Sequence, residues 1–130
     1  MRTVPVKADT LADLMVILKS RGLSDEKLPS NGLIAYYHER PIACGFIRQI
    51  EGGEVAILGE VATIKDDTLP NKIKHTAITL LVKELAEIAK AKHIKSLITF
   101  TKLPSIAKVA KRLGFMTFDQ LKHTMLFKPL

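Results

Sequence analysis

Residues 55–101 read VAILGEVATIKDDTLPNKIKHTAITLLVKELAEIAKAKHIKSLITFT, and the topology of the chain turns on how this stretch is parsed. Val55–Ile64 is aliphatic, β-branched in part and of strand length. From Ile73 the spacing changes. Ile73, Ala77, Leu80, Leu81, Leu85, Ile88 and Ala89 recur every three or four residues, which places them on one buried helix face. Lys90 and Lys92 close that helix where its dipole favours cations. Ile94–Thr101 reads as a strand again. Strand, helix and strand in succession predict a right-handed crossover, with Val55–Ile64 and Ile94–Thr101 parallel and adjacent.

Upstream of the crossover, Asp9-Thr10 opens a helix, with Thr10 as cap and Asp13 three residues on. Its apolar stripe is Leu11, Leu14, Met15 and Leu18, and Gly22 suits its stop. Residues 24–27 read as a further short helical turn, ended near Pro29. Leu33–Tyr37 and Ile42–Ile50 read as strands around a turn at residues 38–41, and Gly52-Gly53 makes a tight hairpin into Val55–Ile64. These three strands form an antiparallel meander. Downstream, Pro104 starts a shorter helix with stripe Ile106, Val109, Ala110 and Leu113, stopped by Gly114. Two short strands near Phe115–Phe118 and Thr124–Lys128 follow. The fold class is α+β: a mixed, mostly antiparallel sheet flanked by helices, with one parallel strand-helix-strand crossover.

The 130 residues are 47% hydrophobic with Gly and Pro at only 7 and 6, so they suffice for one core and exclude long disorder. A single domain over residues 1–130 is expected. The densest apolar run, Ala77–Val82, is far shorter than the ~20 residues of a membrane span. The first residues, MRTVPVK, carry no apolar run of a signal peptide. A cytoplasmic protein with no membrane partner is expected. The lone Cys44 excludes an internal disulfide and a cysteine zinc cage. His38, His75, His93 and His123 have no metal-ligand spacing, so no metal is expected. Net charge is +7, divided as +9 from Lys72 onward and −2 before it, so an anionic partner should meet the second half. Few arginines and seven aromatic residues argue against nucleic acid as that partner.

The order of elements, together with the run Ala107-Lys-Val-Ala-Lys-Arg-Leu-Gly-Phe115, resembles the GNAT N-acetyltransferase superfamily in its small, divergent bacterial or phage-type members. That run is similar to the family's penultimate helix, which commonly ends Leu-Gly-Phe. The resemblance covers almost the whole chain. It implies acetyl-CoA as cosubstrate and direct transfer of an acetyl group to an amine, on a small molecule or on a protein N-terminus or lysine. Homodimer formation stays open.

Carried residue by residue, the resemblance assigns the backbone of Val61, Ala62 and Thr63 to the pantetheine arm. It assigns Lys72, Ile73, Lys74, His75, Thr76 and Ala77 to the pyrophosphate. Aligning Leu80-Leu81 on the family's Leu-Leu puts Lys72 at its Arg/Gln position, His75 at its first Gly and Ala77 at its second small residue. Glu60, flanked by Leu58 and Ala62 on the same strand face, takes the place of a general base. A carboxylate near the thioester could deprotonate the amine. The chain departs from the family pattern at His75, at Ala110 (where a proton-donating Tyr is common) and at Leu103 (where an Asn is common). A non-catalytic binding or regulatory module on the same fold is the alternative reading.

Overall fold

The computed structural model describes residues 1–24, 28–29, 31–50, 53–101, 104–120 and 123–130. Within these, only the backbone is described at 60, 100–101, 104–106, 116–120, 123–125 and 127. The elements run β1 (Arg2–Pro5), a 3-10 turn (Ala8–Thr10), α1 (Leu11–Ser20), β2 (Asn31–Tyr37), β3 (Arg40–Gln49), β4 (Val55–Thr63), α2 (Asn71–Ala91), β5 (Ser96–Thr101), α3 (Pro104–Arg112), β6 (Met116–Gln120) and β7 (His123–Pro129). The strands form one seven-stranded sheet in the order β1-β2-β3-β4-β5-β7-β6. Every neighbouring pair is antiparallel except β4–β5. The expected parallel crossover through the long helix is therefore present.

β2 shows how the layers are built. Leu33 and Ala35 face one side with α2 and α3, while Ile34 and Tyr36 face the other with α1. Successive strand side chains point to opposite faces, and both faces are covered, so β2 reads as a continuous apolar run rather than an alternation. On the α1 side, Leu14, Ile17 and Leu18 pack on Ile34, Cys44 and Phe46. The Phe46 ring lies directly over Gly32, where an added Cβ would fall 2.3 Å from a ring carbon. On the other side, Ala77, Leu81, Leu85 and Ala89 of α2 pack on Ala43, Ile47, Ala56 and Leu58.

All three α-helices stop in the same way. The residue two beyond each helix cap returns its N–H to a carbonyl five residues back: Leu23 to Leu18, Ile94 to Ala89 and Phe115 to Ala110. The residue between, in the left-handed region, donates to the carbonyl three back: Gly22 to Lys19, His93 to Lys90 and Gly114 to Lys111. This is the Schellman motif. His93 holds the conformation without being glycine, at φ 63°.

Several expectations shift. Leu11 is exposed and Ile17 buried, so the α1 stripe is Leu14, Ile17 and Leu18. Thr10 does not cap α1. Its hydroxyl instead accepts from the Lys7 N–H at 2.8 Å, bracing the 3-10 turn that precedes the helix. α2 opens at Asn71, two residues earlier than the periodicity suggests, because Asn71 and Lys72 are exposed polar residues that an apolar stripe does not register. Its buried face is wider than the expected stripe and takes in Ile78, Val82 and Ala86. The helical turn expected at residues 24–27 and Gly52 of the hairpin lie largely or wholly outside the described residues.

Candidate functional site

β4 carries a bulge, and the site follows from it. Cys44 pairs with Ala62 and Phe46 with Gly59, so two residues of β4, Glu60 and Val61, stand opposite the single Gly45 of β3. One extra residue inverts the alternation. Leu58 belongs to the core under α2, while Ala62 packs on the α1 side. The expectation that Leu58, Glu60 and Ala62 share one face is thus corrected, since a period of two holds only without a bulge.

The bulge also bends β4 away from β5. Parallel pairing runs only from Val55↔Ser96 to Leu58↔Thr99, although β4 continues to Thr63 and β5 to Thr101. Beyond that point the two strands form a wedge. At its base the buried Thr99 hydroxyl donates to the Leu58 carbonyl at 3.0 Å. At its far end Arg21 holds Thr63, with Nε donating to the backbone carbonyl at 2.7 Å and Nη2 to the hydroxyl at 3.0 Å. Antiparallel alternation turns the amide and carbonyl of Ala62 toward β3. The amide of Thr63, past the bulge, therefore faces the wedge, where no strand among the described residues pairs with it, and beyond Leu58 no residue of β4 pairs with β5. An exposed strand edge of this kind accepts an added extended chain.

The wedge opens into a cleft of about 410 Å³ lined by Val61, Ala62 and Thr63 of β4, Asn71, Lys74, His75 and Ile78 of α2, Val109 of α3, and Arg21 and Leu23. α2 begins at this cleft without a side-chain cap and without an acid in its first turn. The Ile73 and Lys74 amides reach back to the Pro70 carbonyl at 3.0 and 3.2 Å. The amides of Asn71 and Lys72 are left at the positive end of the helix dipole. Such an end is suited to an anion.

The loop between β4 and α2 is fixed from both sides. Asp66 accepts from the Thr68 amide and hydroxyl and from Arg40. The Thr68 hydroxyl first, and Arg40 next, hold its carboxyl well below the usual carboxylate range. On the other side the Lys65 amide donates to the Ser20 hydroxyl at 3.0 Å, tying the loop to the end of α1.

Of the residues singled out in the sequence, Val61, Ala62, Thr63, Lys74 and His75 line one cleft. Lys72 and Thr76 are exposed on the first turns of α2, where the Thr76 hydroxyl donates to the Lys72 carbonyl at 2.9 Å. Ile73 packs against the core, and Ala77 is wholly buried in it. The segment 72–77 is helical throughout, so the amides of His75, Thr76 and Ala77 belong to the helix ladder. Glu60 has its backbone in the bulge, but its side chain lies outside the described residues, as does Leu103. Ala110 is buried, while its neighbour Val109 reaches the cleft. Sequence reasoning missed Arg21, Leu23, Asn71 and Thr99. Of these, only Arg21 and Leu23 had a nearby signal, the helix-ending Gly22.

No protein-family model matches the chain. No curated protein matches it either. Solved structures do. A ribosomal-protein-alanine N-acetyltransferase from Brucella melitensis superposes with a TM-score of 0.72 at 13% identity, over 100% of both chains. An N-acetyltransferase from Staphylococcus aureus gives 0.74 at 11%, covering 98% of this chain and 96% of its own. A GNAT family acetyltransferase from Elizabethkingia anophelis, solved with acetyl-CoA bound, gives 0.70 at 17%, covering 99% and 97%. The chain has the GNAT fold. At these identities the likeness is one of backbone path. Within the GNAT fold of this chain, the β4 bulge, the wedge and the uncapped start of α2 converge on one cleft. Among the described residues no group of three His, Cys, Asp or Glu could hold a metal ion, and no helix is long and apolar enough to cross a membrane.

Proposed function

We propose that this chain is an acetyl-CoA-dependent N-acetyltransferase that passes an acetyl group directly to an amine. The observation that carries the reading is the β4 edge beyond Leu58, which has no β5 partner and leads along one cleft to the uncapped start of α2. The amide-containing pantetheine arm of the cosubstrate matches that edge. The Val61 amide and carbonyl and the Thr63 amide would bond to it as to an added strand, with Ala62 completing the β4 wall. The pyrophosphate would lie against the start of α2, where Lys72, Lys74 and His75 add side-chain charge or hydrogen bonds while Ile73, Thr76 and Ala77 hold the helix in place.

The amine would approach where β4 and β5 separate, and Glu60 in the bulge would take its proton before attack on the thioester carbon. Collapse of the tetrahedral adduct breaks the carbon–sulfur bond, the nitrogen gives up its second proton to solvent, and the thiolate takes a proton from solvent. Buried Ala110 has no hydroxyl to supply one. The acceptor is an amine on a small molecule, a protein N-terminus or a lysine, and the place of action is the cytoplasm.

Calorimetry with acetyl-CoA tests the binding. Micromolar affinity is expected, weakened roughly 10- to 150-fold by Lys72→Ala if its charge-assisted contact is lost. No heat and no thermal stabilisation at millimolar ligand would reject it. Thiol release against a panel of amines tests the chemistry, with Glu60→Gln expected to be about 10²- to 10⁴-fold slower. The second reading, a coenzyme-binding module without turnover, is favoured by Ala110. It would be upheld by binding with no acetylation of any acceptor in the panel.

A further inference from the structure

We propose that Arg21, delivered by the end of α1, holds a phosphate of the cosubstrate, so that the anion is gripped by side chains across the cleft as well as by the start of α2. This rests on the coenzyme reading of the cleft. Arg21 caps α1 and lines the cleft beside Thr63, with Lys74, His75 and Asn71 of α2 on the same lining. Two of the five guanidinium donors are used on Thr63. The others meet no carboxylate, and Arg21 forms no ion pair among the described residues. The Schellman turn at Gly22 fixes the backbone behind it, and the double bond to Thr63 fixes the planar head.

A cation held in one orientation, with no counter-ion among the described residues and with Lys74 on the same lining, is arranged for an anion. No Asp or Glu is present among the described lining residues. The extra grip answers a specific feature of this chain. The helix starts at Asn71, so the amides of His75 and Ala77 are already bonded within it and only the first turn offers free donors. Phosphate is favoured over an acceptor's carboxylate by position: Arg21 sits at the Thr63 end of the wedge, beside the start of α2, away from the Leu58–Thr99 base where the strands part.

The test titrates acetyl-CoA and acetyl-pantetheine, which lacks the pyrophosphate and ribose phosphate, into wild type, Arg21→Ala and Arg21→Lys, each checked for cooperative melting. Arg21→Ala should weaken acetyl-CoA roughly 10- to 150-fold more than it weakens acetyl-pantetheine. Arg21→Lys should recover only part of the loss, because an ammonium cannot bridge Thr63 and a phosphate as the planar fork does. Equal losses on both thioesters would reduce Arg21 to a brace for β4, and no loss on acetyl-CoA would overturn the proposal outright. Inorganic pyrophosphate separates this from the wider reading. If wild type ignores acetyl-CoA but is stabilised by pyrophosphate through Arg21, the anion site stands and the acetyltransferase reading falls. If neither ligand stabilises wild type, both fall.

Discussion

Thr99 and Arg21 occupy opposite ends of one opening, and each bonds a β4 carbonyl: Thr99 that of Leu58, at the last rung shared with β5, and Arg21 that of Thr63, beyond it. Thr99 is the interior case: it is buried, and its hydroxyl adds a side-chain bond to the last rung of the ladder. Thr99→Val keeps the shape and removes that bond, so about 0.5–1.5 kcal/mol of stability should be lost in urea unfolding. Tyr36 is the counterpart under α1, its hydroxyl donating to Asp13 at 2.6 Å while Arg2 lies 4.6 Å from the ring centre. Burial, then the bond to Asp13, pushes its phenol up to about 12 from an ordinary 10. A raised phenol means that the fold favours the protonated ring. This contribution is complete below pH 10 and is lost as pH rises toward 12. Tyr36→Phe should therefore be less stable at pH 8, and its stability should fall less steeply than wild type's between pH 10 and 12.

At the scale of elements, the common Schellman endings explain why the helix stops could be read. Gly22 and Gly114 announce their stops in the sequence. The stop at His93 was placed from the lysines before it, and the structure shows a side chain carried into the left-handed region there. His93 is exposed, so His93→Gly should relieve that conformation and raise stability by about 0.5–1 kcal/mol, read as a higher melting temperature. α1 and α3 start at Leu11 and Pro104 as read, while the start of α2 shifts to Asn71 because Pro70 offers no side-chain cap to mark it. The same limit applies to the site. Val61, Ala62, Thr63, Lys74 and His75 could be placed because a strand and a helix start carry them. The β4 bulge could not, because Gly59, Glu60 and Val61 carry no turn residue pattern that marks an inserted residue. Arg21 was invisible for a related reason: its partner Thr63 is 42 residues away in the chain. Amide exchange can check the bulge directly. Without ligand, the amide of Thr63 should exchange faster than that of Ala62, which is turned toward β3.

For the whole molecule, the crossover was legible because periods of two and of three to four residues alternate cleanly around residues 55–101 and both faces of the sheet are filled. The strand order at the far edge, with β7 between β5 and β6, was not read from the pattern, since two short antiparallel strands leave open which of them joins β5. A ligand bound between β4 and β5 touches both parts of this sheet. If acetyl-CoA binds as proposed, a concentration 100 times its dissociation constant should stabilise the protein by about 2.7 kcal/mol, seen as a shift in the urea midpoint. An unchanged midpoint would count against occupancy of the wedge.

The short seam between β4 and β5 has a mechanical consequence. Strands β1–β4 form one plate and β5–β7 another, and only four residue pairs, from Val55↔Ser96 to Leu58↔Thr99, join them edge to edge. α2 packs on β2, β3 and β4, all of the first plate, and so leaves the line itself to those four pairs. Bending should therefore concentrate along this line, and the plates should flex about it as stiff leaves about a hinge. An extended group lodged beside Val61 would lengthen the joint by further rungs. The sheet would then stiffen far from the cleft, and a pair of probes on β1 and β6 would register the narrower spread of distances.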